Sequence, residues 1–271
     1  MVTQILFLGT AGDALTLGMR GKTAGGIIIQ TETVQLHLNP GPGALVTATN
    51  YGIDVKKTNI ILVTDNTILH SHDTAALIEV MTLSGLDTCG LLVAAKSALM
   101  TENREELACI SSAVQSAVEK TIVLTENAKI EYNTLQIHGI KIKNKDPNAM
   151  GAKIITPSFS LGYTGITKYF QKVAEAFKDV EILILEVPKM LEEKREEGLC
   201  VADAEKLIAE IKPQLAVLTG FGKAIHREDT LEMTRALYRK TGVQCIAAKE
   251  GFSFDPTNYA VKLRQKRLQT F

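Results

Sequence analysis

The sequence predicts an α/β fold of one domain, two β-sheets as layers with helices outside them. Three observations predict it. Short apolar runs alternate along the chain with stretches whose apolar residues recur at helical spacing. Two of the runs, Ile60-Ile61-Leu62-Val63 and residues 182–187, are almost continuously apolar, the pattern of strands covered on both faces. No Ser-, Gly- or Pro-rich linker separates the halves, so residues 1–271 read as one layered unit. Its N-terminal half ends near residue 145, its C-terminal half near 255, and a basic tail occupies 256–271.

The elements follow in order. Residues 4–8 form an opening strand closed by Gly9 and Gly12. Ile27-Ile28-Ile29 and the alternating Val34, Leu36 and Leu38 predict a hairpin. Asn39-Pro40-Gly41-Pro42-Gly43 then excludes regular structure, because proline lacks a donor and glycine frees φ. A strand over 60–63 precedes a helix over 74–84 carrying Leu77, Val80 and Met81. Strand 90–94, helix 103–119, strand 122–124 and the period-two strand 135–142 complete the first half. The second half alternates helix 167–177, strand 182–187, helix 201–211, strand 215–218, helix 227–240 and strand 243–247.

Composition narrows the function. Thirty basic and thirty acidic residues leave no net charge, so no global field attracts a polyanion. The one dense basic cluster is Lys262, Arg264, Lys266 and Arg267, read as a solvated tail, with RNA contact as the alternative. The four cysteines form no C-x-x-C pair. With no apolar run approaching ~18 residues and no signal peptide, no membrane span is expected and the chain reads as cytoplasmic. Gly21-Lys22-Thr23 imitates the end of a P-loop, but Thr16 stands where the first glycine belongs and a β-branched strand follows instead of a helix.

Five stretches in register resemble one family. They are Ile5 to Thr10, Gly25-Gly26-Ile27, Leu36-His37-Leu38-Asn39-Pro40-Gly41-Pro42-Gly43, Leu161-Gly162-Tyr163-Thr164-Gly165, and Leu215 to Thr219 with Gly220-Phe221-Gly222. In this order they resemble the metallo-β-lactamase superfamily, in its archaeal-type branch near the tRNA 3′-processing ribonucleases, from about residue 4 to 252. The resemblance implies a four-layer αββα sandwich of two mixed β-sheets flanked by helices. It also implies two divalent metals, usually zinc, held by an H-x-H-x-D-H loop, two later histidines and a bridging aspartate around an attacking hydroxide.

On this chain the family's loop maps to Asp65, Thr67, Leu69 and His70. The next histidine maps to Asn144, the bridging aspartate to Ile166, and the last histidine to Gly220. An auxiliary histidine of the ribonuclease-like branch maps to Gly198. Of the first seven positions only His70 keeps its type, and Leu69, Ile166 and Gly220 carry no donor. No metal or other cofactor is therefore expected. The alternative is zinc on a rearranged set of Asp65, His70, His72 and Asp73, although Ser71 or Asp73 also suits the N-cap of the next helix. His37 and His138 read as half-exposed strand histidines and His226 as a surface residue. Glu186, ending an apolar strand, reads as a helix-cap or salt-bridge partner, with an acid or base role as the alternative.

These readings lead to a non-catalytic protein acting by binding, as a partner or subunit in a complex. The resemblance implies a homo-oligomer or an active paralogue as partner. The alternative is a phosphodiester or ester hydrolase with a partial metal site.

Overall fold

The computed structural model describes residues 2–18, 22–100, 108–191, 197–226 and 228–260. Two seven-stranded sheets form its centre. The first contains β1 (Gln4–Phe7), β2 (Ile27–Gln30), β3 (Gln35–Leu38), β4 (Ile60–Val63), β5 (Leu91–Ala95), β6 (Lys120–Leu124) and the short β14 (Ser253–Phe254), in the order β14-β1-β2-β3-β4-β5-β6. The second contains β7 (Lys129–Tyr132), β8 (Leu135–Lys141), β9 (Met150–Ile155), β10 (Ser160–Tyr163), β11 (Ile182–Glu186), β12 (Leu215–Thr219) and β13 (Gln244–Ala247), in the order β13-β12-β11-β10-β9-β8-β7. Each sheet begins as an antiparallel meander and ends in parallel pairs, β3 to β6 in one and β10 to β13 in the other. The chain changes sheet at residues 125–128, earlier than the boundary near 145 expected from the sequence.

Alternation sorts side chains between layers. Ile5, Phe7, Leu36 and Leu38 meet Ile154, Leu161, Ile184 and Val217 between the sheets. Leu6, Ile28, Ile61 and Leu92 point outward beneath α2 (Ala44–Asn50) and α4 (Thr74–Met81). Leu183, Leu185, Ala216 and Leu218 point outward beneath α7 (Gln171–Ala176), α8 (Val201–Ile211) and α10 (Thr230–Thr241). Double coverage explains why β4 and β11 are apolar at almost every position.

Shorter helices α1 (Ala14–Leu17), α3 (Ile68–Ser71), α5 (Lys96–Leu99), α6 (Ser112–Ala117) and α9 (Lys223–His226) complete the chain. Several boundaries differ from the sequence reading. The helix expected over 103–119 is described only at Ser112–Ala117, and residues 101–107 lie outside the described set. The helix expected from 167 begins at Gln171, because Thr167 and Asn144 tie down the preceding loop through Lys143 N and the Ile166 carbonyl. The helix expected to residue 84 stops at Met81, and Leu83 and Ser84 take left-handed backbone angles. Part of the expected tail is ordered structure: residues 256–259 form a 3₁₀ turn that packs Tyr259 against the core. The basic residues from 262 onward lie outside the described set. No helix among the described residues is long and apolar enough to cross a membrane.

Candidate functional site

The C-terminal ends of β1, β3, β4, β10, β11 and β12 converge on one end of the sandwich. Five side chains meet there in a closed circuit. Beyond β4, Asp65 accepts hydrogen bonds from Thr67 N at 2.8 Å and Thr67 Oγ1 at 2.6 Å, a local turn that folds the chain back into α3. That return brings His70 Nδ1 to 2.6 Å from Asp65 Oδ2. The opposite ring nitrogen, Nε2, lies 3.1 Å from Glu186 Oε1 at the end of β11. Glu186 also accepts the hydroxyl of Tyr163 from β10. Tyr163 in turn accepts a bond from Asn39 Nδ2 at 2.8 Å. Asn39 closes the circuit on Thr64, whose backbone N donates to Asn39 Oδ1 at 2.8 Å. Asn39 sits at φ 52°, a left-handed conformation that asparagine tolerates.

The circuit is buried: the side chains of Asp65, His70 and Glu186 are 1 %, 7 % and 9 % exposed. Burial works against a charged ring at His70, but the carboxylates of Asp65 and Glu186 outweigh it and hold the imidazolium well above the ordinary histidine range. Burial likewise opposes the Asp65 carboxylate, yet the His70 charge and hydrogen bond leave it below the usual value. Burial and the neighbouring Glu186 push the Tyr163 phenol well up, so it stays a neutral donor. Both imidazole nitrogens therefore carry protons and both point at carboxylates. Beside the circuit remains a cavity of about 20 Å³, bounded by Gly9, Thr10, Leu69, His70, Glu186 and Gly220. That is room for about one water.

Gly220 explains how Glu186 reaches this position. Its φ is +64°, and a Cβ there would lie 3.1 Å from the Glu186 Cβ and Cγ. A side chain at 220 therefore competes with Glu186 for space. Alanine at 220 is expected to lower stability by about 1–2 kcal/mol from the left-handed backbone, with a further contribution from that contact, measured by urea unfolding. One wall of the cleft is stitched shut by a bridge between Ala11 and Phe221, with Phe221 N to Thr10 O at 2.8 Å and Gly12 N to Phe221 O at 2.9 Å. Gly12 permits that approach, since a Cβ would sit 1.8 Å from the Gly220 carbonyl oxygen.

The remaining mapped positions have structural tasks. Leu69 is half-buried at the cavity edge. Asn144 Nδ2 donates to the Ile166 carbonyl at 2.6 Å. Gly198 sits at φ +92° beside Pro188. Asp65 and His70 come together, but His72 and Asp73 form a separate pair at 3.0 Å, with the His72 side chain 59 % exposed. Asp73 supplies no side-chain cap to α4; its carboxylate instead accepts Leu45 N at 3.3 Å. His37, expected half-exposed, is fully buried because α2 and α4 cover the outer face of β3. His138 is half-buried on β8, as the alternation there implies. Tyr163 and Asn39 are the site residues that the sequence did not single out; both lay inside the motifs quoted for the family frame.

The two-metal centre implied by the family resemblance does not fit this donor set. Leu69, Ile166 and Gly220 offer no ligand, and both nitrogens of His70 are engaged with carboxylates. Among the described residues, no three His, Cys, Asp or Glu side chains are grouped so as to hold a metal ion.

Fold and site together define a metallo-β-lactamase fold with a buried ion circuit at its strand ends. The fold is shared with solved structures that match nearly the whole chain. The metallo-β-lactamase fold protein YhfI of Bacillus subtilis superposes with a TM-score of 0.78 at 14 % identity, over 93 % of this chain and 98 % of that one. Zn²⁺-bound PqqB of Methylobacterium extorquens gives 0.68 at 13 %, over 93 % and 99 %. The short form of human tRNase Z gives 0.65 at 12 %, over 93 % and 99 %. In sequence, the chain is 27 % identical to the uncharacterized protein MJ1374 of Methanocaldococcus jannaschii over 262 residues, 95 % of this chain and 97 % of that protein. No protein-family model matches it.

Proposed function

We propose that this protein acts by binding, as a subunit or partner in a complex, and that its former metal cleft has become a structural joint between the two sheets. The observation that carries this reading is the Asp65–His70–Glu186–Tyr163–Asn39 circuit. A protonated imidazole between two carboxylates stands where the family's chemistry calls for metal cations. The cavity beside it has room for about one water. A hydrolase built on Asp65, His70, His72 and Asp73 gains no support, because those residues remain two separate pairs. The partner is proposed to be a protein, either a second copy of this chain or a metal-bearing relative, met in the cytoplasm.

Elemental analysis of protein purified without chelators, together with a chromogenic phosphodiester assay across several divalent metals, tests the reading. The expected result is zinc far below stoichiometric and no turnover. Stoichiometric zinc retained through dialysis, or turnover lost on His70→Ala, would overturn it.

A further inference from the structure

A second cavity, of about 350 Å³, lies far from the ion circuit in chemistry, in a groove between α8 and α10. Its floor is apolar: Met190, Val201, Met233, Ala236 and Leu237. Paired methionines suit such a floor to irregular apolar side chains. Its rim is acidic, with Glu205, Glu228, Asp229 and Glu232 against Lys240. Lys240 is paired with Glu205 at 2.7 Å, and Arg239 with Glu232 at 2.6 Å. Among the described residues, four carboxylates thus face two cations.

The complementary segment is in the same chain. Residues 261–271 hold four cations, Lys262, Arg264, Lys266 and Arg267, and no acidic side chain. Val261, Leu263, Leu268 and Phe271 supply apolar groups between and beyond them. In a chain with no net charge, this is the one dense basic run.

Topology places its starting point at the end of the sandwich where α10 finishes, one helix length or less from the groove residues. The cleft marks the C-terminal ends of β1 and β12, through Thr10 and Gly220. β14 runs antiparallel to β1, so the chain leaves β14 toward the opposite end. β13 runs parallel to β12, so the C-terminus of α10, which feeds β13, lies at that same opposite end. β13 and β14 both occupy the same side of the sandwich as edge strands joined by residues 248–252. From Ala260, eleven extended residues reach ~36 Å, against ~18 Å for the twelve residues of α10.

We propose that the basic segment 261–271 docks into the α8–α10 groove of its own chain, its cations on the acidic rim and its apolar side chains on the methionine-lined floor. Zero-length carbodiimide cross-linking of the full chain, read by mass spectrometry, tests this. The expected products join Lys262 or Lys266 to Glu205, Glu228 or Glu232. In an equal mixture of ¹⁴N- and ¹⁵N-labelled protein, each cross-linked pair carries a single isotope. Yield falls severalfold at high salt, and also in a Glu228→Lys, Glu232→Lys variant whose circular dichroism matches the parent. Absence of tail-to-groove products while other cross-links form would overturn the proposal. Mixed-isotope pairs would overturn it in favour of a second copy. RNA retention that requires residues 261–271, with no groove cross-link, would overturn it in favour of a nucleic-acid tail.

Discussion

Replacing His70 with alanine is expected to lower the free energy of unfolding by about 3–5 kcal/mol, the cost of removing one partner from a buried charge pair. The reason lies in what the substitution leaves behind. Asp65 and Glu186 remain buried, on opposite sides of an emptied space, with no cation between them. Asp65 keeps its two bonds from Thr67 and Glu186 keeps the Tyr163 hydroxyl, so neither is orphaned as an acceptor. What is lost is the charge that offsets their desolvation. This separates the circuit from an ordinary packing defect. Adding Glu186→Gln to His70→Ala removes one uncompensated charge while preserving an oxygen for Tyr163. The double variant is therefore expected to be more stable than His70→Ala alone. Denaturant melts of the two singles and the double supply the comparison. A double variant no more stable than His70→Ala would show that the carboxylates were never in electrostatic debt to the imidazolium.

The fold was legible in this sequence where a strand covered on both faces is also apolar at every position. Ile60 to Val63 and Ile182 to Leu185 are apolar throughout because helices lie on one side and the opposing sheet on the other. β7, β9, β10 and β14 were not read as strands. Lys129 and Glu131 alternate with Ile130 on an edge strand of four residues, and Lys153 interrupts β9 where its outer face is only half covered. Coverage also decided His37: period two put it opposite Leu36 and Leu38, but only the docking of α2 and α4 buries that face.

The location of the site was legible in the sequence, because Asp65, Leu69, His70 and Gly220 each follow a recognisable strand or turn. The circuit itself was not. Tyr163 and Asn39 are 124 residues apart, and Glu186 lies 23 residues beyond Tyr163. No local pattern encodes such a circuit. It exists because six strand ends of two sheets meet, and because a bare α-carbon at Gly220 leaves Glu186 room.

Stability is expected to peak near pH 6.5, with a different histidine responsible for each flank. His37 governs the acid side. Its Nε2 meets the Gly25 carbonyl oxygen at 2.7 Å, an acceptor, so Nε2 carries the proton and Nδ1 is left buried with no hydrogen-bond partner among the described residues. Burial pushes its pKa down to about 4, against the opposing effects of the Gly25 bond and the Asp73 charge. A base with a depressed folded pKa contributes fully above its unfolded value of about 6.5. That contribution is lost as pH falls from 6.5 toward 4, by about 3 kcal/mol in all. Burial, Lys129 and Lys153 lower His138 too, which adds to the same flank. His70 has the opposite sign. Its folded value is raised, so its contribution is complete below 6.5 and declines as pH rises through 6.5 toward the folded value. Asp65, held low by His70, adds stability that is present above its unfolded value and lost only at more acidic pH. Urea melts between pH 4 and 9 are expected to trace this maximum. His37→Leu costs about 1 kcal/mol at neutral pH through the lost bond to Gly25, yet it flattens most of the acid flank. His70→Ala flattens the alkaline flank and leaves the acid one. An acid flank unchanged in His37→Leu would show that the buried, unpartnered Nδ1 is solvated in the native protein. The outer face of β3 would then be far less tightly covered than the packing of α2 and α4 implies.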